Sequence, residues 1–429
     1  MPARERLRLR TLLRSVPAAV RRDYVSTLAV QWFVLGVGLL LFHLVARRGS
    51  VHGFAYYQIA RGMVSTFQPV LLLGLGVGLH RYLPRTEHTT RRLARHALSV
   101  EAVLVTVVGL AGVAAGDTIA ALLGLPGGRS ATTAALIMLA GNCLCTVSLA
   151  ALRGNQQVVD ANLVTGLGFG LIPLCAFAAA DRIEDFLIMQ GTGTAVVGVW
   201  AAWVVRRQPA TAEKTPEPDV RTLISYGVRR MPGEFALPAL YTFPTFAVAV
   251  LMPGSAEAGY VGFTTSAVTL ICSVFAMLTP VLMPRLSRLF HRAGEDGAVR
   301  QLLTVLPLMA GVLAAIPTGL ILLFAPVMVR GFLGPEFAGA VPVLRLGVLA
   351  AIPLAMFYAA RPTMDTLLDA KFMSRLLLAC LALEFVATAI AVSFVAAPHA
   401  AVLGLVTAAT ALGLDAVGLA AYAVRQPRR

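Results

Sequence analysis

Four ionisable side chains, Arg61, Arg345, Glu384 and Asp415, stand inside stretches that are otherwise apolar. An ionised group at the centre of a bilayer costs roughly 3 kcal/mol on insertion scales, so each is a candidate for chemistry. A guanidinium presents a fork of N–H donors that matches a pair of phosphate oxygens. Arg61 shares a helical face with Gln58 at a spacing of three residues and with Tyr57 at a spacing of four, and Gln68 follows about two turns on. This combination suits a phosphate-bearing headgroup with hydroxyls attached. The competing reading has each arginine carrying its charge out to the interface or bonding a helix end, with the tyrosines belonging to the aromatic belt of the membrane boundary.

Glu384 and Asp415 lie nearest the middle of their apolar stretches and are candidates for carrying a coupling proton or cation; the alternative is a buried partner for an arginine or a hydroxyl. Glu101 and Glu234 fall near the ends of such stretches and read as interfacial acids. Asn142, Asn162 and Gln190 are equally suited to hydrogen bonding between helices and to contacting a ligand. The five cysteines (Cys143, Cys145, Cys175, Cys272 and Cys380) all fall in apolar runs and read as small packing residues rather than as a disulfide framework or metal site.

Other chemistry is missing. The two lysines, Lys214 and Lys371, stand outside any Gly-Lys-Ser/Thr context, so the chain has no phosphate-binding loop of its own. Gly-x-Ser-x-Gly, His-Glu-x-x-His and Cys-x-x-Cys are also absent, so no catalytic residue, metal site or cofactor is expected.

The elements that must position these residues follow from composition. With 58% hydrophobic and 13% charged residues in 429, the apolar side chains exceed what one soluble core would bury, and the excess must face lipid. Runs of about 20 apolar residues, the length that spans a hydrocarbon core, recur along nearly the whole chain. Bounded by charge, proline or glycine clusters, they predict twelve transmembrane helices near 24–46, 54–82, 97–122, 131–152, 158–180, 183–205, 231–252, 258–283, 301–325, 340–360, 374–396 and 400–424. The chain is therefore expected to be an all-α integral membrane protein.

Charge placement supplies the orientation. The net charge of +15 would suggest a nucleic-acid partner in a soluble protein, but here the basic residues occupy short connections, and membrane lipids are the expected partner. Alternate connections carry 29 lysines and arginines on one side and five on the other, namely Arg47, Arg48, Arg129, Arg182 and Arg330. The positive-inside rule then places both termini in the cytoplasm.

The segment 206–230, with Gln208-Pro209 and Thr215-Pro216-Glu217-Pro218, reads as a cytoplasmic linker between an N-lobe of six helices (24–205) and a C-lobe of six (231–424). The basic segment 1–23 and the tail 425–429 complete this division. Gly49-Ser50-Val51-His52-Gly53-Phe54 resembles Gly254-Ser255-Ala256-Glu257-Ala258-Gly259-Tyr260, and Leu83-Pro84-Arg85 resembles Met283-Pro284-Arg285, which supports a parallel internal repeat. Three prolines in the seventh predicted helix, Pro232, Pro238 and Pro244, are expected to bend it.

Several fragments in order carry a resemblance to a known family: Gly53-Phe54-Ala55-Tyr56-Tyr57, Leu73-Gly74-Leu75-Gly76, Arg81-Tyr82-Leu83-Pro84, Leu152-Arg153-Gly154-Asn155-Gln156, Tyr226-Gly227 and Ala258-Gly259-Tyr260. Pro284-Arg285-Leu286-Ser287-Arg288-Leu289, Phe332-Leu333-Gly334-Pro335-Glu336-Phe337 and Ala340-Val341-Pro342-Val343-Leu344-Arg345 follow them. Together they resemble the polysaccharide-flippase branch of the multidrug/oligosaccharidyl-lipid/polysaccharide exporter superfamily, the group of Wzx-type O-antigen and capsule flippases. The resemblance implies two MATE-like six-helix lobes around a central cavity and alternating access. It also implies a polyprenyl-pyrophosphate-linked oligosaccharide as cargo, a bacterial-type inner membrane as location, and other glycan-assembly membrane proteins as possible partners. One departure stands out: Thr245-Phe246 occupies the place where many members carry an Asp-Arg pair. Within transport the alternative is a drug or cation antiporter of the same superfamily; outside it, a membrane glycan polymerase or ligase.

Overall fold

A computed structural model describes residues 18–82, 90–207, 220–276, 297–367 and 370–425. The pairing of Leu83-Pro84-Arg85 with Met283-Pro284-Arg285, the fragment 284–289, most of the basic segment 1–23, the middle of the linker and the last four residues lie outside them. The described chain is helical throughout, with eleven helices long and apolar enough to cross a membrane. The protein is a multi-pass membrane protein.

In the N-lobe, α1 (Ala18–Arg48) turns tightly into α2 (Ser50–Leu71), followed by α3 (Leu75–Tyr82), α4 (Thr90–Ala114), α5 (Gly116–Leu123) and α6 (Gly128–Gly154). Next come α7 (Val158–Gly166), a π-helical turn (Leu167–Leu171), α8 (Ile172–Ala179) and α9 (Ile183–Arg207). The C-lobe holds α10 (Val220–Leu251), α11 (Glu257–Ala276), α12 (Gly297–Phe332), α13 (Ala340–Gly347), α14 (Ala351–Leu367), α15 (Ala370–Ala391) and α16 (Ala397–Arg425). Large apolar side chains such as Leu110 on α4 and Val312, Leu323 and Val327 on α12 are exposed, as expected for lipid-facing positions.

Four details differ from the sequence expectation. The predicted span 54–82 is two helices, α2 and α3, separated at Leu72–Gly74, where Leu73 and Gly74 adopt left-handed backbone with φ of 44° and 68°. The break sits where α10 crosses, because a Cβ on Gly74 would lie 2.2 Å from the Cα of Gly227, so both glycines are required for that approach. The polar residues of α2 also keep it out of the eleven apolar spans. The predicted span 97–122 likewise divides, at Ala115, into α4 and α5. By contrast α12 continues past Pro326 to Phe332, since other groups in a packed bundle re-satisfy the backbone a proline frees. Finally, residues 220–230 of the expected linker form the first turns of α10.

Each lobe has its own apolar core, built on Leu75, Leu79 and Leu152 in one and on Leu240, Phe357 and Leu405 in the other. A third core joins the lobes at the α1–α2 end, where Phe54 packs edge-on against Phe42 and Phe337. There α2 and α11 cross closely: a Cβ on Gly259 would sit 3.2 Å from Ala55, and one on Gly262 would meet the Gln58 side chain at 2.7 Å. Helix α10 lies against the N-lobe along its length, at Gly74, at Thr66, whose hydroxyl is 2.5 Å from that of Thr242, and at Gly124 opposite Ala249. Without a hydrophobic drive between helices in lipid, such close approaches at small residues and hydroxyl pairs hold the bundle.

Candidate functional site

The site is built around α2, the most polar long helix, which stands between the lobes. Tyr57, Gln58, Arg61, Ser65 and Gln68 recur at helical spacing, and all five line cavities. One cavity of about 250 Å³ opens between α2 and the C-lobe, where Tyr241 and Thr242 of α10, Thr265 and Ser266 of α11 and Tyr358 of α14 face it. A second, of about 360 Å³, lies on the N-lobe side, bounded by Tyr57 and Gln68 of α2, Asn142 of α6, Phe169 of the π turn and Gln190 of α9. Arg61, Ser65, Ser266 and Thr269 line both, so the arginine stands where the two meet. A third cavity of about 530 Å³ occupies the seam between α1, α11 and α12 and is almost wholly apolar, lined by residues such as Leu39, Phe42, Phe263, Ile321 and Phe332. It shares Leu39, Phe42, Ser266 and Leu270 with the N-lobe cavity.

Arg61 is held without being neutralised. Its guanidinium carbon lies 4.6 Å from the centre of the Phe42 ring, and Nη1 donates a long hydrogen bond of 3.4 Å to the Ser266 hydroxyl. Among the described residues no carboxylate lies within salt-bridge distance of it, and no aspartate or glutamate lines any of the three cavities. Gln58 is buried and donates to the same serine at 3.4 Å, while the Gln68 amide donates to Thr146 at 2.7 Å. The Tyr57 ring is fixed by Phe42 and Phe186, with centroids 6.0 and 5.8 Å away. An uncompensated cation beside neutral donors and acceptors, accessible to solvent, can attract and orient an anion.

Arg345 is placed differently. It lines none of the three cavities, and its Nε donates at 3.1 Å to the backbone carbonyl of Leu322. In a regular helix that carbonyl would receive the N–H of residue 326, which is proline and has none. The arginine supplies the missing donor. Glu384 is fully buried in α15 with neither carboxyl oxygen hydrogen-bonded, beside the close crossing of α16 at Gly404, whereas Asp415 of α16 is exposed and lies on none of these cavities. Glu101, read as interfacial, is fully buried beside Cys143. Glu234 pairs with Arg361 at 3.3 Å and Arg230 at 3.8 Å, away from the central cavities.

At the departure from the family pattern, Thr245 lines the C-lobe cavity and the Phe246 ring closes on Gly62, with 3.3 Å available to a Cβ there. Sequence reasoning missed the hydroxyl wall of α11. Thr265, Ser266, Thr269 and Ser273 form a polar stripe at helical spacing in an apolar run, and that periodicity is visible in the sequence.

Comparison with known proteins bears on the whole arrangement. The sequence profile of a family described as "Polysaccharide biosynthesis protein" matches residues 20–290, well over half of the chain. No curated protein matches. Among solved structures, a multidrug resistance MATE family transporter of the MOP superfamily in its inward-facing conformation superposes with a TM-score of 0.69 at 13% identity, covering 91% of this chain and 97% of its own. A MOP superfamily transporter from Pyrococcus furiosus, described as having a binding pocket of reverse polarity, gives 0.61 at 14% identity over 94% of each chain. A Vibrio cholerae MATE transporter in the bent form gives 0.57 at 15% identity, covering 95% and 98%. At these identities the likeness establishes the fold, which is that of MATE transporters.

Proposed function

This chain belongs to the polysaccharide biosynthesis protein family, and from that premise we propose that it is a transporter moving a polyprenyl-pyrophosphate-linked oligosaccharide from the cytoplasmic to the outer leaflet of a bacterial inner membrane by alternating access. Family and fold point to a transporter rather than an enzyme. The observation that carries the cargo is Arg61, an arginine without a carboxylate partner among the described residues, at the meeting point of two cavities that carry hydroxyl and amide side chains in their lining, beside an almost wholly apolar cavity on the lobe seam.

A lipid-linked sugar has two halves with opposite solvation needs. The pyrophosphate and sugars cannot enter hydrocarbon without a severe penalty, whereas the polyprenyl tail belongs there. The cation with the hydroxyl and amide side chains around it suits the first half, and the apolar cavity on the seam suits the second. With both termini in the cytoplasm, as the distribution of basic residues implies, the membrane potential favours outward movement of the headgroup by about 2.3 kcal/mol per charge per 100 mV. Transport of a doubly charged headgroup then proceeds without ATP. A cation antiporter would instead need carboxylates facing its cargo, and none lines the three cavities among the described residues.

The test is flipping of a fluorescent polyprenyl-pyrophosphate sugar in proteoliposomes. Arg61→Gln removes a charge-assisted phosphate contact worth about 1.5–3 kcal/mol, so the rate should fall roughly 10- to 150-fold, with Arg61→Lys recovering part of it. Flipping by Arg61→Gln at the unsubstituted rate would refute the assignment.

A further inference from the structure

The N-lobe cavity contains hydrogen-bonding capacity that a pyrophosphate does not use. Helices α6 and α9 cross at Gly141 and Gly191 so closely that a Cβ on Gly141 would lie 2.0 Å from the Gly191 carbonyl oxygen. The residues next to these glycines, Asn142 and Gln190, both line the cavity. Both are more than nine-tenths buried, and neither side-chain carbonyl oxygen has a hydrogen-bond partner. Buried amides normally find partners, and two unfilled ones at a single helix crossing, on residues that line one cavity, call for an explanation beyond packing.

The chemistry of the group indicates the ligand. A primary amide is neutral and both donates and accepts, as does a sugar hydroxyl. A phosphate only accepts, so it suits Arg61 and would leave the amide carbonyls unfilled. The aromatic residues Phe42 and Phe169 line the same cavity, and apolar ring surface of this kind suits the C–H groups of a sugar. The volume, about 360 Å³, falls within the range of small-molecule sites, about 300–1,000 Å³. With its pyrophosphate at Arg61, a lipid-linked glycan would place its first sugar within this cavity.

We propose that Asn142 and Gln190 form a sugar-reading subsite that selects glycan-bearing lipid over the bare pyrophosphate lipid. The proposal rests on the flippase reading above and deepens it, assigning phosphate recognition to α2 and hydroxyl recognition to the crossing of α6 and α9.

The experiment measures binding of two probes to the full chain in nanodiscs: polyprenyl pyrophosphate carrying one N-acetylhexosamine, and polyprenyl pyrophosphate with no sugar. The unsubstituted protein should prefer the first. The near-isosteric Asn142→Leu and Gln190→Met should each weaken binding of the sugar-bearing lipid about tenfold, and binding of the sugar-free lipid, which also reports on folding, should stay within about twofold. Arg61→Gln should weaken both. Equal loss for the two probes, no loss for either, or no preference in the unsubstituted protein overturns the subsite and leaves the flippase reading standing. Failure of the unsubstituted protein to bind either lipid overturns that reading, and the subsite with it.

Discussion

The pairing of Arg345 with the carbonyl freed by Pro326 allows a test in which one substitution should rescue another. Arg345→Leu leaves the Leu322 carbonyl of α12 without a donor, since the N–H expected four residues on is absent. A hydrogen bond from a charged donor is worth about 1.5–3 kcal/mol when buried, and Arg345 is exposed, so a cost of about 1–2 kcal/mol is expected. In a Pro326→Ala background the new backbone N–H reaches the same carbonyl within the helix, and Arg345→Leu should then cost almost nothing. The coupling between the two positions should be about 1–2 kcal/mol, well above the few tenths seen for independent sites. Unfolding of the four proteins in detergent, followed by exposure of buried cysteine to a thiol-reactive dye, measures this difference. Flipping should be unchanged in Arg345→Leu, in contrast to Arg61→Gln. Additive stabilities, or loss of transport in Arg345→Leu that Pro326→Ala does not restore, would refute the structural role.

Gly141→Ala would place a Cβ 2.0 Å from a backbone oxygen, about 1.4 Å short of ordinary contact, and should destabilise by about 1–3 kcal/mol; Gly109→Ala, with nothing within 4 Å, should be neutral or mildly stabilising in the same thermal assay. The pair Ala55→Cys and Gly259→Cys, on a background in which exposed Cys175 is replaced, should form a disulfide that pins α2 to α11 and stops transport until a reductant is added; free flipping by the oxidised protein would show that the lobes need not part there. A coupling role for the buried carboxyl of Glu384 predicts that Glu384→Gln folds normally and loses any stimulation of flipping by a proton or sodium gradient, measured by imposing each gradient on proteoliposomes.

The membrane class, the all-helical fold and most of the spans were legible in the sequence, and so was the presence of polar side chains at Tyr57, Gln58, Arg61 and Gln68, all of which line cavities. Hydropathy sums along a chain, and a charge inside an apolar run stands out whatever its neighbours are. The bilayer imposes one length and one polarity on every crossing helix, so these properties need no knowledge of packing. What remained undecided was the direction each side chain faces about its helix axis, since successive residues turn through roughly 100° and the neighbouring helices select the rotation. Arg61 and Arg345 look alike in sequence, yet only the tertiary structure turns one toward the cavities and the other onto the carbonyl that Pro326 leaves open. The break at Leu73–Gly74, the burial of Glu384 and the placement of Asn142 and Gln190 on one cavity likewise depend on contacts between segments far apart in the chain, set by how closely glycines let two backbones approach.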